Sequence, residues 1–167
     1  MNKTISIDGF HIPRWKELPD VELYIEQVVK FINSYLSTYM FYNSEDEKNT
    51  SVITKSMINN YVKNNIIEAP IKKQYSKIQI SKLFVICILK QAYSIHEIKS
   101  LIEFALKGST LENAYDKFCN LFEEALRCTF NRKDFIDKDS QNDNLYLLKS
   151  TLLSCSYKIY VQNITFK

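Results

Sequence analysis

The fold of this chain is decided by residues 52–104, which read VITKSMINNYVKNNIIEAPIKKQYSKIQISKLFVICILKQAYSIHEIKSLIEF. The pattern predicts a short helix with a polar face, a basic turn that contains proline, a strongly apolar helix and an amphipathic helix. This order is typical of a compact DNA-binding module, in which one helix enters a groove and a basic turn holds phosphate. The remaining helices then form the support behind them.

The short helix is predicted to begin after Thr54, whose hydroxyl can cap the first free backbone amides, and to run from Lys55 to Lys63. Its apolar side is predicted to carry Met57, Ile58, Tyr61 and Val62, which recur at helical spacing. Its other side carries five residues that we call the polar arc: Lys55, Ser56, Asn59, Asn60 and Lys63.

The Asn59–Asn60 pair has two interpretations, because an asparagine amide competes for the backbone and is unfavourable inside a helix. In the functional one, asparagine amides pair with adenine in the major groove while the lysines contact phosphate or guanine. In the compositional one, a chain rich in Asn and Lys fills any solvated face with these residues. The scarcity of arginine, which occurs only at positions 14, 127 and 132, fits such a bias.

The basic turn follows Ile66 and Ile67, where Pro70 interrupts the chain and residues 71–75 are too short for another helix. We expect a small wing over residues 66–75, with Lys72 and Lys73 exposed beside Tyr75. All three are predicted to hold backbone phosphate, which positions a protein on DNA without identifying the sequence.

Three further helix starts are predicted by capping boxes at Ser76–Gln79, Ser94–Glu97 and Ser109–Glu112. The run Leu83–Leu89 has the propensity of a buried strand, but the capping box before it favours a buried central helix. The helix that starts at Ser94 is expected to reach Lys107 and to end at Gly108.

The block from Thr54 to Ile102 resembles the winged helix-turn-helix of MerR-type regulators. Tyr61 matches the aromatic residue of the short helix, and Tyr75 matches the tyrosine of the wing. Ile66-Ile67 and Pro70 match the segment that leaves the short helix, and residues 94–98 match the start of the last helix. Asn59, Asn60 and Asn65 stand where the pattern usually has an arginine, an aromatic and a glycine. The resemblance implies an all-α fold with a small wing.

A second resemblance is to a bacterial family, domain of unknown function 1836, and it covers about residues 10–107. The segments that carry it are Ile12-Pro13-Arg14-Trp15, Thr54–Lys63, Ala69–Tyr75 and Leu89-Lys90-Gln91.

The remaining chain predicts a helix over residues 20–40, a polar loop over 43–51 and two apolar seams after Gly108. We therefore expect a winged domain over residues 1–107 and a helical extension over 108–167. The extension is either a helical hairpin packed on its own domain or a dimer interface, since DNA readers with one recognition helix commonly dimerise. The seams are Leu111, Tyr115, Phe118, Phe122, Ala125 and Thr129, then Leu145, Leu148, Leu152, Cys155 and Ile159.

Charge is concentrated in the same block. Residues 54–107 hold nine lysines and three glutamates, a net charge of +6, whereas residues 1–53 carry −3 and residues 108–167 are neutral. A local excess of positive charge is the electrostatic footprint of nucleic-acid binding.

Other classes of function have no support in the residues. The four cysteines lack C-x-x-C spacing, the two glycines form no phosphate loop, and no nucleophile–base or paired-carboxylate pattern stands out. We therefore expect no enzymatic activity, no metal and no cofactor. The apolar runs are too short for a membrane span and the N-terminus lacks a secretion signal, so we expect a cytoplasmic protein with reduced core thiols.

The leading hypothesis is a sequence-specific, dimeric regulator that binds double-stranded DNA through the polar arc, the wing and the helix N-terminus that Thr54 caps and directs at the DNA backbone. The alternative is a helical protein-interaction module that has kept this fold and lost DNA binding, because arginine is the preferred residue for bidentate contacts and is missing here.

Overall fold

A computed structural model describes residues 6–40, 51–136 and 142–165. Within these residues the protein is mostly helical, with one short 3-10 helix at Trp15–Glu17 and one antiparallel sheet of two strands. No helix in the described part is long and apolar enough to cross a bilayer. The strands are β1 (Leu23–Tyr24) and β2 (Gln74–Tyr75), and the helices are α1 (Ile25–Leu36), α2 (Lys55–Lys63), α3 (Lys77–Leu89), α4 (Ile95–Ala105), α5 (Leu111–Phe130) and α6 (Asp143–Thr165).

Helix α3 lies at the centre of the core, which confirms the prediction of a buried helix over Leu83–Leu89. It packs against α5, α6 and β2, and the ring of Phe84 lies 5.9 Å from both Phe31 and Tyr35 of α1. A helix covered on all sides needs apolar residues all round. This is why its sequence lacks a clear amphipathic period.

The predicted caps of α2, α3 and α4 are confirmed. The Thr54 hydroxyl accepts the Met57 amide at 3.3 Å, and α2 has the predicted bounds. The Ser76 amide donates to Gln79 Oε1 at 2.7 Å, and the Ser94 amide donates to Glu97 Oε2 at 2.7 Å. These local bonds explain why the helix starts were predictable.

The junction between α4 and α5 differs from the prediction by a few residues. Helix α4 ends at Ala105 instead of Lys107, and Gly108 makes the reversal three residues later with a left-handed φ of 75°. The predicted Ser109–Glu112 box is wrong by one residue. The N-cap is Thr110, whose hydroxyl accepts the Asn113 amide at 3.3 Å.

The first predicted helix also starts too early, because residues 23–24 form β1 and pair with Tyr75 and Gln74. A strand was expected only in the wing. Helix α1 begins at Ile25, after the Tyr24 amide donates to Gln27 Oε1 at 2.9 Å, and ends at Leu36 rather than near Met40. The predicted loop lies outside the described residues, apart from Ser51.

The two C-terminal seams face each other, and most of their residues are buried within the chain. The predicted hairpin is wrong, because α5 and α6 run in the same direction. Phe130 at the end of α5 packs edge-on against Tyr160 near the end of α6, with ring centroids 5.2 Å apart. The first turns of both helices likewise lie together, since Leu111 and Leu145 line one pocket.

Residues 131–136, the described residues that follow α5, turn back along the helix pair. Phe135 in this segment is buried, and its ring centre lies 5.1 Å from Lys149 Nζ in the early part of α6. The core thiols Cys87, Cys119 and Cys155 are buried as predicted, whereas Cys128 is half-buried.

Candidate nucleic-acid interface

All five residues of the polar arc are exposed on one side of α2, as predicted. The other side is in the core, where Ile58 is fully buried and Tyr61 is 2% exposed. Asn33 of α1 fixes the approach to α2, because its Oδ1 accepts the Val52 amide at 2.7 Å and its Nδ2 donates to the Ile53 carbonyl at 2.9 Å. The arc is thus an exposed surface on a rigidly held helix.

Two residues of the arc have partners within the protein. Lys55 Nζ lies 2.9 Å from Glu26 Oε1, and the hydrogen bond from this ammonium lowers the pKa of Glu26. The Asn60 Oδ1 accepts from Asn64 Nδ2 at 2.9 Å. Over the described residues, the Asn59 side chain makes no hydrogen bond and the Lys63 ammonium makes no ion pair. These two groups are therefore available to a ligand.

The exit from α2 is a Schellman turn. The Ile66 amide donates to the Tyr61 carbonyl at 2.9 Å, and the Asn65 amide donates to the Val62 carbonyl at 3.0 Å. Asn65 has a φ of 54°, in the left-handed region where glycine or asparagine is favoured. Asparagine can therefore replace the glycine that is usual at this position of the MerR pattern.

The wing ends in a two-residue hairpin loop at Lys72-Lys73. Ile71 and Gln74 exchange both backbone hydrogen bonds, at 3.1 and 2.9 Å, and the lysines between them have φ values of 49° and 64°. Two successive positive φ values characterise a type I′ turn, in which Asn-Gly is favoured. Both lysines are exposed and lack an ion-pair partner among the residues described.

Tyr75 was predicted to be exposed and to hold phosphate, but its side chain is buried and only 2% exposed. Burial raises the pKa of its hydroxyl, and its backbone pairs with Leu23 in the sheet. Tyr75 therefore anchors the wing to β1, with its side chain in the core.

Two other lysines of the basic block are used inside the protein. Lys77 pairs with Asp20 and lies 5.7 Å from the centre of the Trp15 ring. Lys82 Nζ lies 2.5 Å from Glu68 Oε1. Close to the arc and the wing, the unpaired cationic groups in the described ranges are thus Lys63, Lys72 and Lys73.

A buried ion pair was not predicted from the sequence. Arg14 holds Glu123 of α5 in a bidentate pair, with nitrogen–oxygen distances of 2.7 and 2.8 Å, and the Ile12 amide donates to the same carboxylate at 2.8 Å. Desolvation opposes the ionisation of Glu123, but these hydrogen bonds outweigh it and lower its pKa.

This pair belongs to a set of contacts that holds the N-terminal segment on α5. The Trp15 amide donates to Asp116 Oδ1 at 2.7 Å, and the Tyr115 hydroxyl donates to the Pro13 carbonyl at 2.8 Å. The signal in the sequence was only the Pro13-Arg14-Trp15 motif. Nothing in a single sequence identifies Glu123, which is 109 positions away from Arg14.

The family described as "Domain of unknown function (DUF1836)" matches residues 13–118, which is more than half of the chain. No curated protein and no solved structure matches the chain.

Proposed function

Because the chain belongs to the DUF1836 family, whose description assigns no function, we propose one from its surface: a sequence-specific regulator of winged helix-turn-helix, MerR-like type that binds double-stranded DNA. The observation that carries the proposal is the Lys72-Lys73 turn. Two exposed lysines, without an ion-pair partner in the described chain, occupy left-handed positions that strain most residues other than glycine and asparagine. Backbone strain of this kind is retained where function requires the side chain. Cationic side chains on an exposed turn are well placed to bind backbone phosphate.

The order of elements supports the same function. A strand precedes α1, α2 follows, and the wing returns to pair with that first strand. A long connection replaces the tight turn of the MerR pattern, but α1 and α2 still pack together. The left-handed Asn65 occupies the position where that pattern has glycine.

In the proposed complex, α2 enters the major groove and its polar arc faces the bases. Asn59 is the strongest candidate for reading adenine, since its amide is free of intramolecular bonds in the described part and can form a bidentate contact. Lys63, Lys72 and Lys73 hold phosphate. The N-terminus of α2, capped by Thr54, adds a partial positive charge at Lys55 and Ser56.

We include a homodimer in the proposal, because reading two half-sites requires two copies of α2. Since the two seams are used within the chain, we assign the association to the outer face of α6. Tyr146, Tyr157 and Val161 are each at least 50% exposed there. Sedimentation of the protein with and without a Tyr157→Glu change tests this part of the proposal separately from DNA binding.

A second candidate is the protein-interaction module. It is favoured by the Lys55–Glu26 ion pair, which takes one arc lysine away from any phosphate. Binding to DNA separates the two candidates directly.

The experiment is an electrophoretic mobility shift with DNA from upstream of the gene, over a series of salt concentrations. Each phosphate neutralised contributes about −0.9 to the slope of log affinity against log salt, so changing Lys72 and Lys73 to Ala flattens the slope by about two. The matched control changes Lys133 and Lys158 to Ala, which removes the same charge from exposed positions outside this surface. An equal loss in the control, or no binding at low salt, overturns the proposal.

A further inference from the structure

A second candidate site lies away from α2 and the wing. It is a pocket of about 430 Å³ bounded by α3, α4, α5 and α6. Pockets for small organic ligands commonly fall between about 300 and 1,000 Å³. Most of its wall is apolar, including Val85, Leu101, Ile102, Phe118 and Leu148.

Within the described part of the chain, the charged residues that line this pocket are all positive. They are Lys82, Lys107 and Lys117, and no described Asp or Glu lines it. The ammonium of Lys82 is already paired with Glu68. Lys107 and Lys117 are exposed and have no ion-pair partner among the described residues, so they leave two unbalanced positive charges at an apolar pocket.

The parallel packing of α5 and α6 adds to this potential. The N-terminal turns of both helices reach the pocket, through Ser109 and Leu111 on one side and Asn142 and Leu145 on the other. Their caps satisfy one amide each, at Asn113 and Leu145. A helix N-terminus carries roughly half a positive charge from its free amides. Glu112 and Asp143 lie in the first turns of these two helices and offset part of that charge. Two helices that ran in opposite directions would not place both positive ends at one pocket.

We infer that this pocket binds a small apolar carboxylate, with the hydrocarbon body between α3, α4 and α6 and the carboxylate toward the lysines and the helix N-termini. The apolar wall selects the body, and the unbalanced positive charge selects the head group. This inference does not depend on whether the protein binds DNA.

The test is calorimetric titration with three probes of one chain length: decanoate, 1-decanol and decylammonium, each below its micelle concentration. We expect decanoate to bind at one site per chain and more tightly than either of the other two. Changing Lys107 and Lys117 together to Gln should weaken decanoate roughly fivefold and leave 1-decanol unchanged, since a partly exposed charge contact contributes modestly. The matched control changes Lys133 and Lys158 to Gln and should leave all three affinities as they are.

A filling variant locates the site. Ala114 lines the pocket, so Ala114→Phe should abolish the binding of decanoate while the thermal transition stays cooperative. Decanoate binding no tighter than decylammonium, an equal loss in the lysine control, or full binding by a folded Ala114→Phe protein each overturns the inference. The lysine variants change exposed residues, so they remain informative if Ala114→Phe does not fold.

Discussion

The N-terminal segment and the surface formed by the polar arc and the wing use polar groups in opposite ways. The segment around Arg14 directs its donors into the protein, where Glu123 accepts three short hydrogen bonds at a side chain that is only 9% exposed. The polar arc and the wing direct theirs outward, and Asn59, Lys72 and Lys73 have no hydrogen-bonding or ion-pair partner in the described chain. The first region is thus built for stability, and the second carries solvated groups that are free to bind an external ligand.

The comparison shows how polar residues with a structural role differ from those available for binding. A buried charge must be paired because desolvation is costly, so its loss is felt by the whole fold. An exposed group without a partner contributes little to stability and is free to change. Variants in the two regions should therefore separate folding from binding.

The largest effect is expected for Glu123→Ala. Removing Glu123 leaves the half-buried Arg14 without its carboxylate partner, and the free energy of unfolding should fall by about 3 kcal/mol, the lower end of the range for buried pairs. Denaturation in urea measures this loss. The matched control is Glu26→Ala, which breaks the exposed pair with Lys55 and should lower the stability far less. Similar losses at both positions would contradict the distinction between the two regions.

The same pair predicts a dependence of stability on pH. The pKa of Glu123 is lowered in the folded protein, so its contribution is present above the unfolded value of about 4.3 and is lost as the pH falls through the lower folded value. The Glu123→Gln protein cannot release or bind this proton. Its stability should therefore change less than that of the wild type over the same acid range, as measured by urea midpoints. Identical slopes would show that Glu123 does not contribute.

Asn59→Ala should show whether Asn59 determines the DNA sequence that is bound or only reflects the high asparagine content of the chain. We expect a preference for one DNA site reduced by about 1–3 kcal/mol, because a bidentate contact with a base is lost while the phosphate contacts remain. The fold should be unchanged or slightly more stable, since alanine is the better helix former. Competition binding with specific and scrambled DNA measures the preference, and Asn113→Ala on α5 is the control. A preference equal to that of the wild type would assign Asn59 to compositional bias.

Replacing Lys72-Lys73 with Asn-Gly should move stability and binding in opposite directions. These residues suit a type I′ turn, so the free energy of unfolding should rise by about 1–2 kcal/mol as strain at two positions is relieved. Affinity for DNA should fall and its salt dependence should weaken. Thermal unfolding and the mobility shift measure the two effects on one protein. A variant that is less stable would show that the lysines are retained for folding.

The sequence by itself determined the features that depend on near neighbours. Thr54 and the spacing of Met57, Ile58, Tyr61 and Val62 defined α2 to the residue and placed the polar arc in solvent, because a cap and a helical face involve residues only a few positions apart. The same is true of the starts of α3 and α4.

Tertiary structure decided what depends on distant partners. Leu23-Tyr24 became a strand, and Tyr75 became buried, because the two segments pair with each other across 50 residues of chain. The sequence also left open whether α6 runs parallel or antiparallel to α5, because the apolar residues of a seam have the same spacing in both arrangements. Arg14 contacts Glu123 because the N-terminal segment packs on α5. No local sequence pattern predicts a contact between side chains so far apart in sequence.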